Sequence, residues 1–354
     1  MRRFAFLLTL CLPLLSQSAS AALVEGLYQV REPVASQQPS ERDAALGRAL
    51  QDLVVRLTGD ANAAQSPALS ESVKSPQQLI TQYSYDAGPP AVLVVNFDPA
   101  SVNRTLTQAG LPIWGANRPS VMTWWLNDSD GGSALVGDSQ PAAAPLQRAA
   151  QDSGLPLVLP LADLSEQLVG TAENIDSGKP DALREASKRY SSDVLLAVHA
   201  RQSGSSWQAQ WRMWQGTNSA QGNAQGADLD ALANTIMHEL STRLAKQFIT
   251  KPGSTQALTL VVDGANFERY SQLQKLLEPM GARLLKAENG QLRYQLTANP
   301  DQLHAQLGLA DLEQSSAPVD ANAPVAAPDT QAAPGASQPP APAPAQQVLY
   351  YRWH

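Results

Sequence analysis

The chain is poor in the residues that most often carry metal and thiol chemistry. It has one cysteine, Cys11, and four histidines among 354 residues. Cys11 lies in an apolar segment near the amino terminus, so the rest of the chain has no disulfide, thiol nucleophile or cysteine metal site. No two histidines have the i, i+4 spacing of a helical zinc site. The four histidines are His199, His238, His304 and His354. We therefore expect no metal.

Motifs for nucleophilic catalysis and phosphate binding are also missing. The sequence has no Gly-x-Ser-x-Gly elbow and no phosphate loop ending in Gly-Lys-Ser/Thr. Gly131-Gly132 follow the acidic stretch "NDSD", but neither a lysine nor the glutamate of a calcium loop completes a site there. The sequence thus offers no catalytic residue and no cofactor site, and the favoured prediction is a protein without enzymatic activity.

Basic residues are fewer than acidic ones. The chain has 25 Lys and Arg against 32 Asp and Glu, a net charge of −7. If an amino-terminal leader containing Arg2 and Arg3 is removed, the net charge changes from −7 to −9. Nucleic acids and anionic membranes are bound by basic surfaces, so neither is an expected partner.

Long apolar runs are absent except near the amino terminus. Phe4–Leu15 follows two arginines and precedes Ala19-Ser20-Ala21, which is the pattern of a secretory signal peptide. The run is shorter than the ~20 residues that span a membrane. We expect residues 1–21 to be cleaved after Ala21, leaving a periplasmic protein without membrane insertion.

Large apolar side chains are nearly absent from residues 315–347, which contain eight prolines. Such a segment buries too little surface to fold, so we predict a disordered linker. The tip that follows, residues 348–354, has the opposite composition. We expect it to form a strand, either on a sheet of its own chain or on a partner's sheet edge. Its candidate docking residues are Val348, Tyr350, Tyr351 and Trp353.

The remaining sequence predicts an α+β protein of several small sandwich domains with mixed sheets. Residues 22–117 combine an amphipathic helix at 39–60 with a hairpin at 81–98. In residues 118–251, strands alternate with helices, which indicates a mixed α/β domain. Residues 256–312 read β-α-β-β-α, a ferredoxin-like order, with Asn289-Gly290 as a hairpin turn.

The stretch "GLPIWGANRPSVMTWWLND", residues 110–128, holds three of the seven tryptophans. Trp124 and Trp125 are adjacent in a predicted strand, so their rings point to opposite sides, and we expect one buried and one exposed ring. The stretch is interpreted as a domain junction, with an exposed aromatic patch for glycan or protein as the alternative. Its candidate residues are Trp114, Asn117, Arg118, Trp124 and Trp125.

Three stretches carry a resemblance to a known family. They are "ERDAALGRALQDLVVRLTG", "VNFDPASVNRTL" and "GLPIWGANRP". Together they resemble domain-of-unknown-function family 2066, which consists of exported proteins of Gram-negative bacteria without an established activity. Around "RYSSDVLLAVHAR", the middle region is similar in element order to the amino-terminal domain of TolB and to related envelope modules. The first resemblance implies an exported location and an architecture but no chemistry, and the second implies an interaction module.

These observations predict a non-enzymatic periplasmic protein that acts through protein contacts in the cell envelope. Its expected partner is another periplasmic or envelope protein. One alternative is a glycan-binding or small-ligand-binding protein that uses exposed tryptophans. The other alternative is a hydrolase of unknown type.

Overall fold

The computed structural model describes residues 22–24, 26–88, 90–249, 256–315 and 347–353. The predicted signal peptide, residues 1–21, and residues 316–346 of the predicted linker lie outside these ranges. Helices and three larger sheets make up the described chain, which confirms the α+β class. No helix in the described ranges is both long enough and apolar enough to cross a membrane.

The N-terminal part of the chain, residues 22–117, packs one long helix on a small sheet. Its sheet is antiparallel with the order β2-β4-β3, and β1 pairs separately with β5. Its elements are β1 (Ala22–Leu23), β2 (Gln29–Val34), α1 (Pro39–Thr58), α2 (Ser70–Lys74), β3 (Ile80–Asp86), β4 (Ala91–Phe97), α3 (Pro99–Gln108) and β5 (Asn117–Arg118).

Helix α1 forms because leucines recur at helical spacing along one face. Leu46, Leu50, Leu53 and Leu57 are all buried against the sheet. The helix ends at Gly59, which adopts φ 64° as expected of a C-cap. Ser40 and Asp43 have a spacing that resembles a capping box, but they do not form one. The helix already begins at Pro39, and its N-cap Gln38 makes no side-chain cap.

The middle part, residues 118–251, is built on a six-stranded mixed sheet. Its strands follow the order β11-β10-β9-β6-β7, and β8 also pairs with β6. Its elements are β6 (Val121–Ser129), β7 (Gly132–Leu135), α4 (Ala144–Ser153), β8 (Leu157–Val158), α5 (Leu164–Val169), α6 (Ala172–Asp176), α7 (Asp181–Ser187), β9 (Val194–Ser203), β10 (Ser206–Gln215), β11 (Asn218–Gly226) and α8 (Leu229–Phe248).

Helices cover both faces of this sheet near β6 and β9. One face packs on α4 and α8, and the other on α5, α6 and α7. On β10, Ala209, Trp211 and Met213 are buried on the first face, as their alternation with glutamines predicts. The second face is left uncovered at β10 and β11, where Gln208 and Gln210 are exposed.

The C-terminal part, residues 256–353, keeps the predicted β-α-β-β-α order and adds two strands. Its sheet has the order β13-β14-β12-β16-β15. Asn289 (φ 52°) and Gly290 (φ 75°) form the predicted turn of its hairpin. Its elements are β12 (Gln256–Asp263), α9 (Phe267–Leu277), β13 (Arg283–Glu288), β14 (Gln291–Ala298), α10 (Pro300–Gly308), β15 (Leu312–Gln314) and β16 (Gln347–Trp353).

Side chains from all three parts contact one another. Trp114 from the N-terminal part and Leu309 from the C-terminal part belong to the same core as α8 of the middle part. The predicted boundaries, 117/118 and 251/256, stay predictions.

Candidate functional site

Arg118 lies at the centre of the contact between the N-terminal and middle parts. Its side chain is buried, and its guanidinium donates to the carbonyls of Gly115, Trp114, Arg56 and Gly154 at 2.9 to 3.0 Å. None of the described carboxylates forms an ion pair with it. Burial, and secondarily the nearby Arg56, lowers the pKa of Arg118 to about 9. The group is still charged at neutral pH, and its donors hold four backbone carbonyls together.

Two other residues of the same stretch also make structural contacts. The Trp114 ring is buried, stacks on Phe248 with centroids 6.0 Å apart and lies 4.0 Å from the Arg118 guanidinium carbon. Asn117 hydrogen-bonds with Gln306 of the C-terminal part through its side-chain amide and its carbonyl. The geometry places Trp114, Asn117 and Arg118 where the three parts of the chain meet.

Trp124 and Trp125 are both buried, on opposite faces of the sheet. The indole nitrogen of Trp124 donates to Ser187 at 2.8 Å, and that of Trp125 donates to Asn127 at 2.8 Å. The expectation that one of these rings is exposed is wrong, because helices cover both faces of the sheet at β6. No ring of the stretch 110–128 is therefore available to stack on a ligand.

Three exposed leucines lie elsewhere in the middle part, at the start of α5. Leu161, Leu164 and Leu168 have exposed fractions of 62, 75 and 72%. Leu164 and Leu168 are one turn apart on the same face of α5, and Leu161 lies three residues before the helix begins. We call these three residues the leucine platform.

A network of polar side chains fixes the backbone beneath the leucine platform. Asp163 and Glu166 form a reciprocal capping box, and Arg189 forms ion pairs with both carboxylates. The Tyr190 hydroxyl donates to Glu166 and accepts from the backbone of Leu161 at 2.9 Å. Hydrogen bonds, first from Ser165, hold the pKa of Asp163 well below its usual range. The Glu166 side chain is itself buried.

A side-chain hydrogen bond and packing against Gly137 also fix the loop before α5. Ala162 has φ 55°, a left-handed conformation that a non-glycine residue adopts only when its surroundings enforce it. Its carbonyl accepts from the Gln167 amide at 2.7 Å. A Cβ on Gly137 would approach Ala162 to 2.7 Å, so only glycine fits there. The leucine platform consequently stands on a backbone that packing and hydrogen bonds determine.

A second polar cluster surrounds His199 on the sheet face that α6 covers. The His199 ring is 2.9 Å from Asp176 through Nδ1 and 3.7 Å from Asp128 through Nε2, and Arg201 bonds to Asp176 at 2.7 Å. Nε2 is buried and makes no hydrogen bond within the described residues. Because Nε2 is shielded from solvent, the cluster presents no exposed imidazole base, and it adds no support to the hydrolase alternative. The described residues contain no group of His, Cys, Asp or Glu arranged for a metal ion.

Beyond Arg201 the same sheet face opens into a groove of about 560 Å³ on β9, β10 and β11. Its outward side chains are exposed carboxamides, which can donate to and accept from hydroxyl groups. We call this surface the amide face. It comprises Gln208, Gln210, Gln221, Asn223 and Gln225.

The C-terminal tip lies on a sheet of its own chain. Strand β16 runs parallel to β12 and antiparallel to β15. Leu349 and Tyr351 are buried in the core, with exposed fractions of 7 and 1%. The other tip candidates lie nearer the surface: Val348 is 39% exposed, and Tyr350 and Trp353 are partly buried. This is the first of the two arrangements expected for the tip.

Comparison with known protein families gives a match for the N-terminal part of the chain alone. Residues 21–115 match the model of a domain of unknown function, DUF8605. The resemblance to family 2066 is therefore wrong, and nothing supports the TolB likeness. The matched segment includes α1, and a leucine-rich amphipathic helix is a pattern that unrelated proteins share. The chain matches no curated protein and no solved structure.

The DUF8605 match does not extend to the leucine platform or the amide face, which both lie in the middle part. Sequence reasoning also missed both. The apolar run over residues 156–161 has the composition of a longer strand, whereas only Leu157–Val158 pairs in a sheet. The one available signal was the Asp163-x-x-Glu166 spacing, which is that of a capping box and marks the start of α5.

Proposed function

We propose that this protein is exported to the periplasm and acts there by binding another envelope protein through its leucine platform. The observation that carries the proposal is the exposure of three neighbouring leucines, each at 62% or more. Covering clustered apolar side chains with a partner removes their surface from water, which is favourable. Such clusters are therefore typical of protein contact sites.

The fixed base of the platform supports binding rather than simple surface exposure. Binding costs free energy for each side chain and loop that must be ordered. Here the Asp163–Glu166 capping box and the Arg189 and Tyr190 contacts order the backbone before a partner arrives. A preorganised backbone leaves only the leucine rotamers to be restricted on binding.

The leader sequence and the charge support the proposed location and partner class. Arg2, Arg3 and the apolar run that follows them fit a cleaved export signal. The net negative charge argues against nucleic acid and anionic membranes as partners. The proposed partner is therefore a periplasmic or envelope protein with an apolar contact surface.

The proposal is tested by cross-linking in intact cells, followed by mass spectrometry of the captured proteins. The variant Leu164→Gln/Leu168→Gln removes two platform leucines and keeps residues that favour helix. The matched control is Phe267→Gln, because Phe267 is 88% exposed on α9 and lies outside the platform. We expect the platform variant to lose the captured protein and the control to retain it.

Folding is checked on the same purified variants by thermal denaturation. Substitutions of exposed side chains change stability by roughly 0.5 kcal/mol or less, so neither variant should unfold. Equal capture by all three chains would reject the leucine platform as the contact site. If no chain captured a protein above background, the binding function itself would be rejected.

A second candidate function is the binding of a hydroxyl-rich ligand such as a glycan on the amide face. The observation that favours it is the groove lined by exposed carboxamides beside Arg201. Buried tryptophans remove the stacking contacts first considered for this function, so polar contacts alone would bind the sugar. Isothermal titration with soluble glycan fragments tests it, and Gln208→Ala/Gln210→Ala should abolish any heat that the unchanged protein gives.

A further inference from the structure

Strand β11 lies at one edge of the middle sheet and lacks the usual protection of an edge. Its sequence, "NSAQGNAQG", has no charge and no proline, and its nine pairs with β10 run without a bulge. No described strand pairs with its outer side. Charges, prolines and bulges are the features that prevent an edge strand from pairing with another chain.

The hairpin turn determines which backbone groups of β11 face outward. Gly216 and Thr217 form a two-residue turn, so Gln215 and Asn218 are the first hydrogen-bonded pair. Even-numbered residues of β11 then bond to β10. The amides and carbonyls of the odd-numbered residues point away from β10. These residues are Ser219, Gln221, Asn223 and Gln225.

From this geometry we infer that β11 pairs antiparallel with β11 of a second copy of the chain, about a two-fold axis at Gly222. In this register Gln221 faces Asn223 of the second copy, and Ser219 faces Gln225. These four residues are the ones whose backbone groups point outward, so the two edges form about eight hydrogen bonds. The inference is independent of the proposed partner binding.

The side chains of the two strands are compatible in this register. On the amide face, carboxamides and hydroxyls meet one another, and no like charges are opposed. On the other face, Ala220 meets Ala224 and Gly222 meets itself, in the pairs whose Cα atoms approach to about 4.5 Å. A strand with small residues in its close pairs and amides in its hydrogen-bonded pairs is complementary to itself.

A pair of strands buries less area than the roughly 1,600 Å² of a standard interface, so the dimer should be weak. We expect a dissociation constant in the micromolar range, measured by sedimentation velocity from about 1 to about 500 μM. A chain that stays monomeric across this range would overturn the inference.

Two charge variants test the register. Gln221→Lys/Asn223→Lys places like charges opposite each other twice, and dimerisation should weaken at least tenfold. Gln221→Lys/Asn223→Glu places opposite charges in the same positions, and the dimer should be kept. Both side chains are exposed, so the two variants should melt at the temperature of the unchanged protein. A dimer that tolerates the Lys/Lys change, or is lost in the Lys/Glu variant, would also overturn the proposed pairing.

Discussion

Removing residues 347–354 tests how far β16 supports the C-terminal part. Leu349 and Tyr351 are almost fully buried, and burying each side chain contributes about 2 kcal/mol. Hydrogen bonds to β12 over six register pairs add to this. The loss is thus at least about 4 kcal/mol, against the 5 to 15 kcal/mol that stabilise a typical domain. We expect residues 256–315 to become marginally stable.

Hydrogen exchange read by mass spectrometry resolves this effect by region. In the truncated chain, peptides from β12 and β14 should exchange much faster, whereas those from β6 and β9 should not change. Tyr351→Ala should cost about 3 to 5 kcal/mol in denaturant unfolding, as large-to-small core substitutions do. The control Val348→Ala should cost under about 1 kcal/mol, because Val348 is 39% exposed.

Adding the missing strand back as a peptide provides a further check. In the intact chain, 31 residues connect Ser315 to Gln347, and a tether of this kind supplies an effective concentration on the order of millimolar. A peptide of residues 347–354 at that concentration should restore slow exchange to the truncated chain. Truncation without any change in exchange would refute our reasoning and show that β16 contributes nothing to its own sheet.

Three further changes have defined outcomes. Arg118→Met leaves four carbonyls without their donor but removes a buried charge, so we expect a net loss of about 3 kcal/mol in urea unfolding, with Arg104→Met on the exposed face of α3 as control. Asp52 lies on an exposed part of α1, but partial desolvation by the surrounding protein, aided by Glu32, raises its pKa from 3.8 to about 6. Stability should therefore fall as the pH rises from about 4 to about 6. Asp52→Asn should therefore stabilise the chain at pH 7 by up to about 1 kcal/mol, after solvent screening, and not at pH 4. Glu166→Gln should lower the melting temperature and weaken partner capture.

The elements that the sequence predicted are those determined by local patterns. Leucines at helical spacing predict α1, and Asp98 followed by Pro99 marks the start of α3, where the Asp98 carboxylate accepts from the Ser101 amide at 2.8 Å. The Asn289-Gly290 turn predicts its hairpin for the same reason. In each case, residues within about one turn of one another carry the whole signal.

The elements that were missed depend on distant neighbours. Strand β11 has no β-branched or aromatic residue, and it is extended because it pairs along its whole length with β10. The environment of His199 could not be predicted either, since Asp176 is 23 residues away and reaches the ring only through the packing of α6 on β9. Burial of both Trp124 and Trp125 likewise depends on helices that lie far along the chain.

The tryptophan-rich stretch shows why aromatic residues alone do not identify a binding surface. Burying a large ring is among the most favourable steps in folding, so rings collect where several parts of a chain meet. Here Arg118 fixes how the N-terminal and middle parts pack on each other, because its guanidinium donates to backbone carbonyls of both. The surface proposed for a partner consists instead of leucines at a short capped helix, whose backbone is held by the capping box and by contacts from Arg189 and Tyr190. Under the proposed function, substitutions of the exposed leucines should therefore change binding without changing stability, whereas substitutions of Glu166 beneath them should change both.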